Sequence, residues 1–355
     1  MLRLTAVGDI IMGDHPLYLG IGTGSRPRRG LFDSVADVLR ASDIALGNLE
    51  GPLLRDKPVI RWEERIFRGR CQDASLLREA GFNALSVANN HIMHHGMEGW
   101  VDTTAALEQA SIVPVGTRKG WPTVSVRGER VAMLGYSMRP EEKVNSSSIP
   151  YALADPNEIL QAVHDAAEEA DVVIVSLHWG EEYLDYPLPE QRDLGHALCS
   201  AGATVVVGHH PHVLQGVEMV GDSLVAYSLG NFVSDMCQMK ARASGVLRVL
   251  IEEGRVRDWQ IVPVEINQSR PILVDPDDCS RRLTQLNDLC CKLSVSKDMA
   301  TIHADIKQSL DDFRREYEAW FKRNFIRYPV GALLYILGTS FGRRSRRWIR
   351  GLFRS

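Results

Sequence analysis

Cysteine is scarce and poorly spaced for chemistry. Six occur in 355 residues, at positions 71, 199, 237, 279, 290 and 291, and none stands in a CxxC pair. Their scatter, with Cys290 and Cys291 adjacent and badly placed to bond each other, leads to an expectation of buried free thiols in a reducing compartment. Long apolar runs are also missing. The longest candidate, Tyr328–Leu337, is about half the ~20 residues a spanning helix needs. The N-terminal MLRLTAVGDIIMGD lacks a long apolar region and a small-residue cleavage site, and reads as a first strand rather than a targeting segment. The 29 glycines have no fixed period, which excludes collagen-like and solenoid architectures. Negative charge is absent after Glu318, whereas residues 319–355 hold nine Lys or Arg. The first 318 residues therefore carry 32 basic and 45 acidic side chains, an acidic body with a basic tail. A polycation built for nucleic acid is excluded, and no nucleic-acid partner is expected.

What is present suffices for a large core. Apolar residues make up 45% and charged residues 24%. The length admits two domains, or one large α/β domain with an appendage. Strand-like runs alternate with helical patterns: Leu2–Val7, Asp43–Leu46, Asn83–Ala88, Val131–Tyr136, Asp171–Leu177 and Ala203–Val207 read as strands. Phe32–Leu39, Glu98–Gln109, Asn157–Ala170 and Pro189–Ala201 read as helices. Ser223–Leu229, Gly245–Ile251 and Val256–Ile266 follow without intervening helices and are expected to be antiparallel. The chain turns helical after about residue 278, most clearly over Asp305–Phe321.

Five of these strands end in a polar cluster containing Asp, Asn, Glu or His. In layered sheets, sites form beyond strand ends, so Asp9, Glu50, Asn90, His178, His210 and His212 are expected around one pocket. In His210-Pro211-His212 an extended backbone would place both imidazoles on one face, with the proline limiting the entropy lost on aligning them. Glu50 can bridge two cations, Asn48 can add a neutral oxygen, and Asn90 with His91 sets an amide oxygen beside an acid/base imidazole. The donors are oxygen and nitrogen without thiolate, which fits a hydrolytic pair of divalent ions better than a structural zinc knot. One or two transition-metal ions, Mn, Fe or Zn, are the expected cofactor.

The segments GDIIMGD, GNLEGPL, GFNALSVANNHIMHHG, LHWGEEY, GATVVVGHHPHVLQGVE and YSLGNFVSD occur in that order. Together they resemble the CapA family of capsule and poly-γ-glutamate synthesis proteins, over roughly residues 2–240 and on to about 266, with the part after 278 outside it. The resemblance implies the calcineurin-like metallophosphoesterase fold: a four-layer αββα sandwich over 1–270, followed by a helical extension with a basic amphipathic tail over 278–355. It implies metal ligation by Asp9, Glu50, Asn90, His178, His210 and His212, and a transition-state contact from His91. Three segments depart from the phosphoesterase pattern, one of them GDxxD, which becomes GNLE as in other CapA-like sequences. Asp-x-His becomes Asp9-Ile10-Ile11, so an imidazole is missing, and His94 stands where an aspartate usually follows the Asn-His pair. His94 or His95 is then a candidate substitute ligand.

Several residues are expected around this set rather than in it. Asn48, His94, His209, Trp179 and Asn231 are candidates for substrate contact or for support of the ligands. Trp179 and Tyr183 either wall the pocket or simply pack. Glu181 and Glu182 are expected to be solvated or outside the ligand set. Gly20–Gly24 lacks the strand and helix context of a phosphate loop, and Arg26, Arg28 and Arg29 read as solvated charge, with contact to an anionic substrate as the alternative. Two functions follow: a metal-dependent hydrolase of phosphoester or polymer linkages in capsule or poly-γ-glutamate biosynthesis, or a non-catalytic assembly or polymer-binding factor for the synthase. The partners expected are an anionic polymer or phosphoester substrate and, through residues 324–355, an anionic membrane surface. The expected location is cytoplasmic, with that tail as the contact to the inner membrane face.

Overall fold

The computed structural model describes residues 1–13, 19–20, 28–55, 67–140, 149–274, 276–293, 298–328, 330 and 333–334. The glycine-rich stretch 21–24, Arg26 and the basic tail beyond 334 lie outside the described residues.

In chain order the first half forms β1 (Leu2–Ile10), α1 (Ala36–Arg40), β2 (Ile44–Leu49), β3 (Leu53–Leu54), β4 (Gly69–Arg70), α2 (Asp73–Ala80), β5 (Ala84–Ser86), α3 (Gly96–Gln109) and β6 (Val113–Val115). Then come β7 (Thr123–Val126), β8 (Glu129–Ser137), α4 (Pro156–Glu169), β9 (Val172–His178), α5 (Pro189–Ser200), β10 (Val205–His209), β11 (Val217–Val220) and β12 (Ser223–Ala226). The chain continues as β13 (Asn231–Val233), α6 (Met239–Arg242), β14 (Ala243–Glu252), β15 (Arg255–Asn267), β16 (Arg270–Leu273), α7 (Pro276–Leu293) and α8 (Met299–Asn324).

Two mixed sheets result. One has the order β16-β15-β14-β1-β2-β5-β6, with β13 also paired to β1, and the other β11-β12-β10-β9-β8-β7. Alternation along the strands sorts the side chains into layers. Leu2, Leu4 and Ala6 of β1 meet Val172, Ile174, Val205 and Val207 between the sheets. Val7 and Ile10 face the other way, into the core under α1–α3. Val173, Val175, Leu177 and Val206 pack outward under α4 and α5. This is the four-layer αββα sandwich expected from the sequence. The runs in β9 and β10 are uniformly apolar because both of their faces are buried.

Local signals explain the helix starts. The Asp155 carboxylate accepts from the backbone N–H of Asn157 and Glu158, the Glu158 carboxylate accepts from the Asp155 N–H, and Pro156 occupies the first turn. The antiparallel pairing expected after residue 223 holds for β14 with β15, but β12 runs parallel to β10 and antiparallel only to β11. The reason is that β11, which was not expected as a strand, supplies the antiparallel edge. Among the described residues Cys71, Cys199 and Cys237 are free thiols, and no helix is long and apolar enough to cross a membrane.

The helical C-terminal part packs on the rest. Ile302 of α8 is buried with Leu184, Tyr186 and Leu188, Asp305 accepts a hydrogen bond from the Tyr186 hydroxyl, and Phe313 stacks on Tyr183 with centroids 3.6 Å apart. An α7 residue, Asn287, accepts a hydrogen bond from the Val217 N–H.

Candidate metal centre

The site lies where β1, β2, β9 and β10 end. Two glycines make that meeting possible. A Cβ on Gly8 would stand 1.9 Å from the Gly230 carbonyl oxygen, and one on Gly208 would stand 1.9 Å from that of Tyr227. Both strands therefore run against the YSLGN segment at backbone distance. Asp9 N–H donates to the Gly230 carbonyl at 3.0 Å, and Asn231 is delivered beside His212.

Asp9 is fully buried. Its Oδ1 accepts from Asn48 Nδ2 at 2.8 Å and lies 3.3 Å from His209 Nδ1. Its Oδ2 accepts from the His210 N–H at 3.2 Å and lies 3.3 Å from His212 Nδ1. Glu50, also buried, presents Oε1 to His91 Nε2 at 3.6 Å, His212 Nε2 at 3.7 Å and His178 Nε2 at 3.9 Å. Asn90 Oδ1 meets His178 Nε2 at 2.8 Å. Ligand atoms of Glu50, His178 and His210 all fall within 4.8 Å of one another, as do those of Asp9, Glu50 and His212, and those of Glu182, His210 and His212. Glu50 is common to the first two groups. The six residues singled out from the sequence thus converge.

The convergence of His210 and His212 has a different cause from the one expected. The segment is not extended: His210 has φ 95° and His212 φ 58°. Side chains with a Cβ avoid this region, at roughly 1–3 kcal/mol each, and such conformations cluster at functional sites. The left-handed turn, rather than strand alternation, aims both rings inward.

Burial would favour neutral imidazoles, and for His178 it wins, pushing the ring down to about 3. His210 is likewise held well below its usual range, by burial and then by the neighbouring His178. At His212 burial is outweighed by the carboxylates of Glu50, Asp9 and Glu182, which push it up to about 10. Burial also opposes ionisation of Asp9, but hydrogen bonds and charge from His209 and His212 keep the carboxyl well below the usual range. Without a cation the cluster thus balances its carboxylates with a proton on His212. Buried carboxylates facing the neutral imidazoles of His178 and His210, with oxygen and nitrogen donors only, fit a pair of divalent ions.

The surrounding residues sort differently. Asn48 Oδ1 accepts from Asn89, so its amide braces Asp9 and His178 instead of offering a free oxygen. Asn231 Oδ1 meets His212 Nδ1 at 2.9 Å and orients that ring. His209 is buried against Asp9 and belongs to none of the three ligand groups. Trp179 packs in the outer core, stacked on Tyr227 and donating to its carbonyl. Tyr183, in contrast, lines the site 6.1 Å from the His212 ring. Arg28 is neither solvated nor near the centre: it pairs with buried Asp73 at 2.8 Å and donates to the Met12 carbonyl.

His94 belongs to none of the three ligand groups. Its Nδ1 accepts from the Phe67 N–H at 2.9 Å, and its Nε2 lies 2.9 Å from His91 Nδ1. A neutral His94 then carries its hydrogen on Nε2 and donates it to His91, which leaves the His91 hydrogen on Nε2, facing Glu50. Burial, reinforced by the surrounding imidazoles, holds His91 well below its usual range. His95 stands at the start of α3. Arg139, which no sequence motif marked, bonds the Gly180 carbonyl and Glu181. It lines a cavity of about 540 Å³ with Asn90, His91, His210, Glu182 and, from α8, Ile306 and Leu310.

Residues 3–236 match the family model described as bacterial capsule synthesis protein PGA_cap. The chain belongs to that family. It is similar to the PGA biosynthesis protein CapA of Bacillus subtilis, at 30% identity over 84% of this chain and 81% of that protein. It is also similar to the capsule biosynthesis protein CapA of Bacillus anthracis, at 30% identity over 88% of this chain and 80% of that one. A match over 88% of the chain is longer than the stretch before residue 278, so the likeness to that protein includes residues of the helical C-terminal part. Among solved structures, a 5'-nucleotidase precursor from Thermus thermophilus is similar at 17% identity with a TM-score of 0.47, covering 81% of this chain and 58% of that one.

Proposed function

We propose that this protein is a metal-dependent hydrolase acting on a phosphoester or polymer linkage in capsule or poly-γ-glutamate biosynthesis. The observation that carries the reading is the buried Glu50 shared between two ligand groups, Glu50–His178–His210 and Asp9–Glu50–His212. Asp9, Glu50 and His212 would hold one divalent ion, and Glu50, Asn90, His178 and His210 the other. Mn, Fe and Zn all suit these donors. When bound, such a pair activates a water and neutralises charge developing on the substrate.

The chain's own residues do the rest. Asn48 and Asn231 fix Asp9 and His212, as partners of ligands generally do. His91 offers its Nε2–H to the oxygen that gains charge, and His94 keeps the hydrogen on that atom. Arg139, the cationic side chain among the described residues of the cavity wall, would have to exchange its partner Glu181 to meet an anionic substrate group. Ile306 and Leu310 of α8 close the opposite wall and limit access of water.

The test is hydrolysis of a generic phosphodiester and of poly-γ-glutamate by protein loaded with Mn²⁺. His91→Ala is expected to lower turnover by about 100-fold while leaving most of the metal bound, because the ring contacts the substrate and not the ions. Metal loss equal to that of His212→Ala would make His91 a ligand. A Mn²⁺-loaded wild type that hydrolyses neither substrate would favour the assembly-factor reading.

The basic tail supports a second contact, with an anionic membrane surface at the inner face of a cytoplasmic location. Aromatic residues Phe341, Trp348 and Phe353 are interleaved with six arginines from Arg343 onward. The full chain is expected to co-sediment with vesicles containing anionic lipid at low salt. A chain with Arg343, Arg344, Arg346 and Arg347 replaced by Ser should stay in the supernatant, and equal sedimentation of the two would refute the contact.

A further inference from the structure

The two halves of the centre are unequal. The half around His178 has four donors: Glu50, Asn90, His178 and His210. The Asp9 half has Asp9, Glu50 and His212, and the position of the absent imidazole is Ile11. Ile11 follows the end of β1, past an irregularity in register between Asp9 and Ile10, and its side chain is fully buried among Phe67, Met236 and Ala241, with Tyr183 and Phe313 beside them. That corner is sealed by apolar packing and supplies no ligand.

A carboxylate approaches from the other side. Gly180, at φ 79°, and Tyr183, at φ 67°, turn the segment after β9 back on itself. Trp179 N–H donates to the His209 carbonyl at 3.1 Å, and Tyr183 N–H to the Pro211 carbonyl at 2.8 Å. These two bonds lace the Gly180–Glu182 turn to the His210–His212 turn. The two glutamates between them then divide. Glu181 pairs with Arg139. Glu182 has no hydrogen bond or ion pair with any described residue, yet its carboxylate lies within 4.8 Å of ligand atoms of both His210 and His212. It faces them from the cavity side, with Glu50 buried beneath.

We propose that Glu182 is a further ligand of the centre, a carboxylate from the β9 loop that joins it from the cavity side through His210 and His212. His209, the other polar side chain at this end, shares no ligand group with Glu50 or His212. The assignment rests on the metal-centre reading and refines it. It also makes the cavity-side ligand the one that substrate can reach, since Glu182 is half-exposed whereas Asp9, Glu50 and His212 are buried.

The experiment is Mn²⁺ titration of metal-free full-length protein by calorimetry, with electron paramagnetic resonance to detect the coupled ion pair. The wild-type chain is expected to take up two ions. Glu182→Ala should keep one at wild-type affinity, bind the second at least 10-fold more weakly and lose the coupled signal. Glu182 is half-exposed and bonds no described residue, so the variant should melt like the metal-free wild type. Two ions at unchanged affinity in Glu182→Ala would overturn this assignment alone. Loss of the second ion on His209→Ala but not on Glu182→Ala would do the same. A wild-type chain that binds no Mn²⁺ would overturn the metal-centre reading and this assignment with it.

Discussion

Glu50→Gln is expected to abolish binding of both ions under conditions that saturate the wild type. Groups that only orient a ligand change metal affinity by about 10–100-fold when removed. Glu50 belongs to two ligand groups at once, so its loss should exceed that range at each position, and hydrolytic activity should fall with it. Glutamine has nearly the same volume and is uncharged, so the buried position is not overpacked and no unpaired charge is created. Elemental analysis after gel filtration, alongside circular dichroism to show retained structure, is the check. A folded Glu50→Gln protein with two ions would refute the shared-ligand geometry. Asp9→Asn provides a graded comparison, because Asp9 contributes to one group only.

Removing the metal is expected to lower stability and to make rebinding depend steeply on pH. Ligand present at about 1,000 times its dissociation constant stabilises a fold by about 4 kcal/mol, so chelated protein should melt several degrees lower and recover on adding Mn²⁺. The pH dependence follows from His212. In the metal-free protein its ring is raised from 6.5 to about 10. The stabilisation it provides is therefore complete below pH 6.5 and is lost as pH rises through about 10. An ion binding through the same ring must displace that proton. Between pH 6.5 and 10 uptake should release about one proton per chain, and affinity should rise about tenfold per pH unit. Calorimetry at pH 8 in two buffers of different ionisation enthalpy reads the proton directly. Equal heats in the two buffers would mean that His212 is neutral before the metal arrives.

Much of this centre was legible in the chain. A polar residue at the end of each apolar run is a local signal, and a strand buried on both faces announces itself by its composition. Asp9, Glu50, Asn90, His178, His210 and His212 were singled out that way, and the helices α3, α4 and α5 by their periodicity, whereas the two-sheet sandwich was implied by the family resemblance. Short elements were not legible. β3, β4, β6 and β13 have two or three residues each, too few for a period to register, and they exist because neighbouring backbone offers them partners. The bend at His210 and His212 was misread as extended because a left-handed turn at a non-glycine residue leaves no mark in residue type. It is held by tertiary contacts that outweigh its local strain.

Residue type and order alone determined that this is an acidic α/β body with a basic tail and that oxygen and nitrogen donors stand at its strand ends, while the family resemblance marked Ile11 as the place of a missing imidazole. Only the tertiary structure decided what the neighbours of those donors do. Asn48 became a brace because Asn89 occupies its oxygen, and His94 became the group that sets the His91 hydrogen because the Phe67 N–H occupies its other nitrogen. Arg139 and α8 came to the cavity through contacts far apart in sequence. Glu181 and Glu182, identical in type and adjacent in the chain, were separated by one turn that gives Arg139 to the first and two imidazoles to the second. The reason is general to such sites: a side chain's chemistry is written in its type, but the partner that uses up or leaves free each of its polar atoms arrives through space.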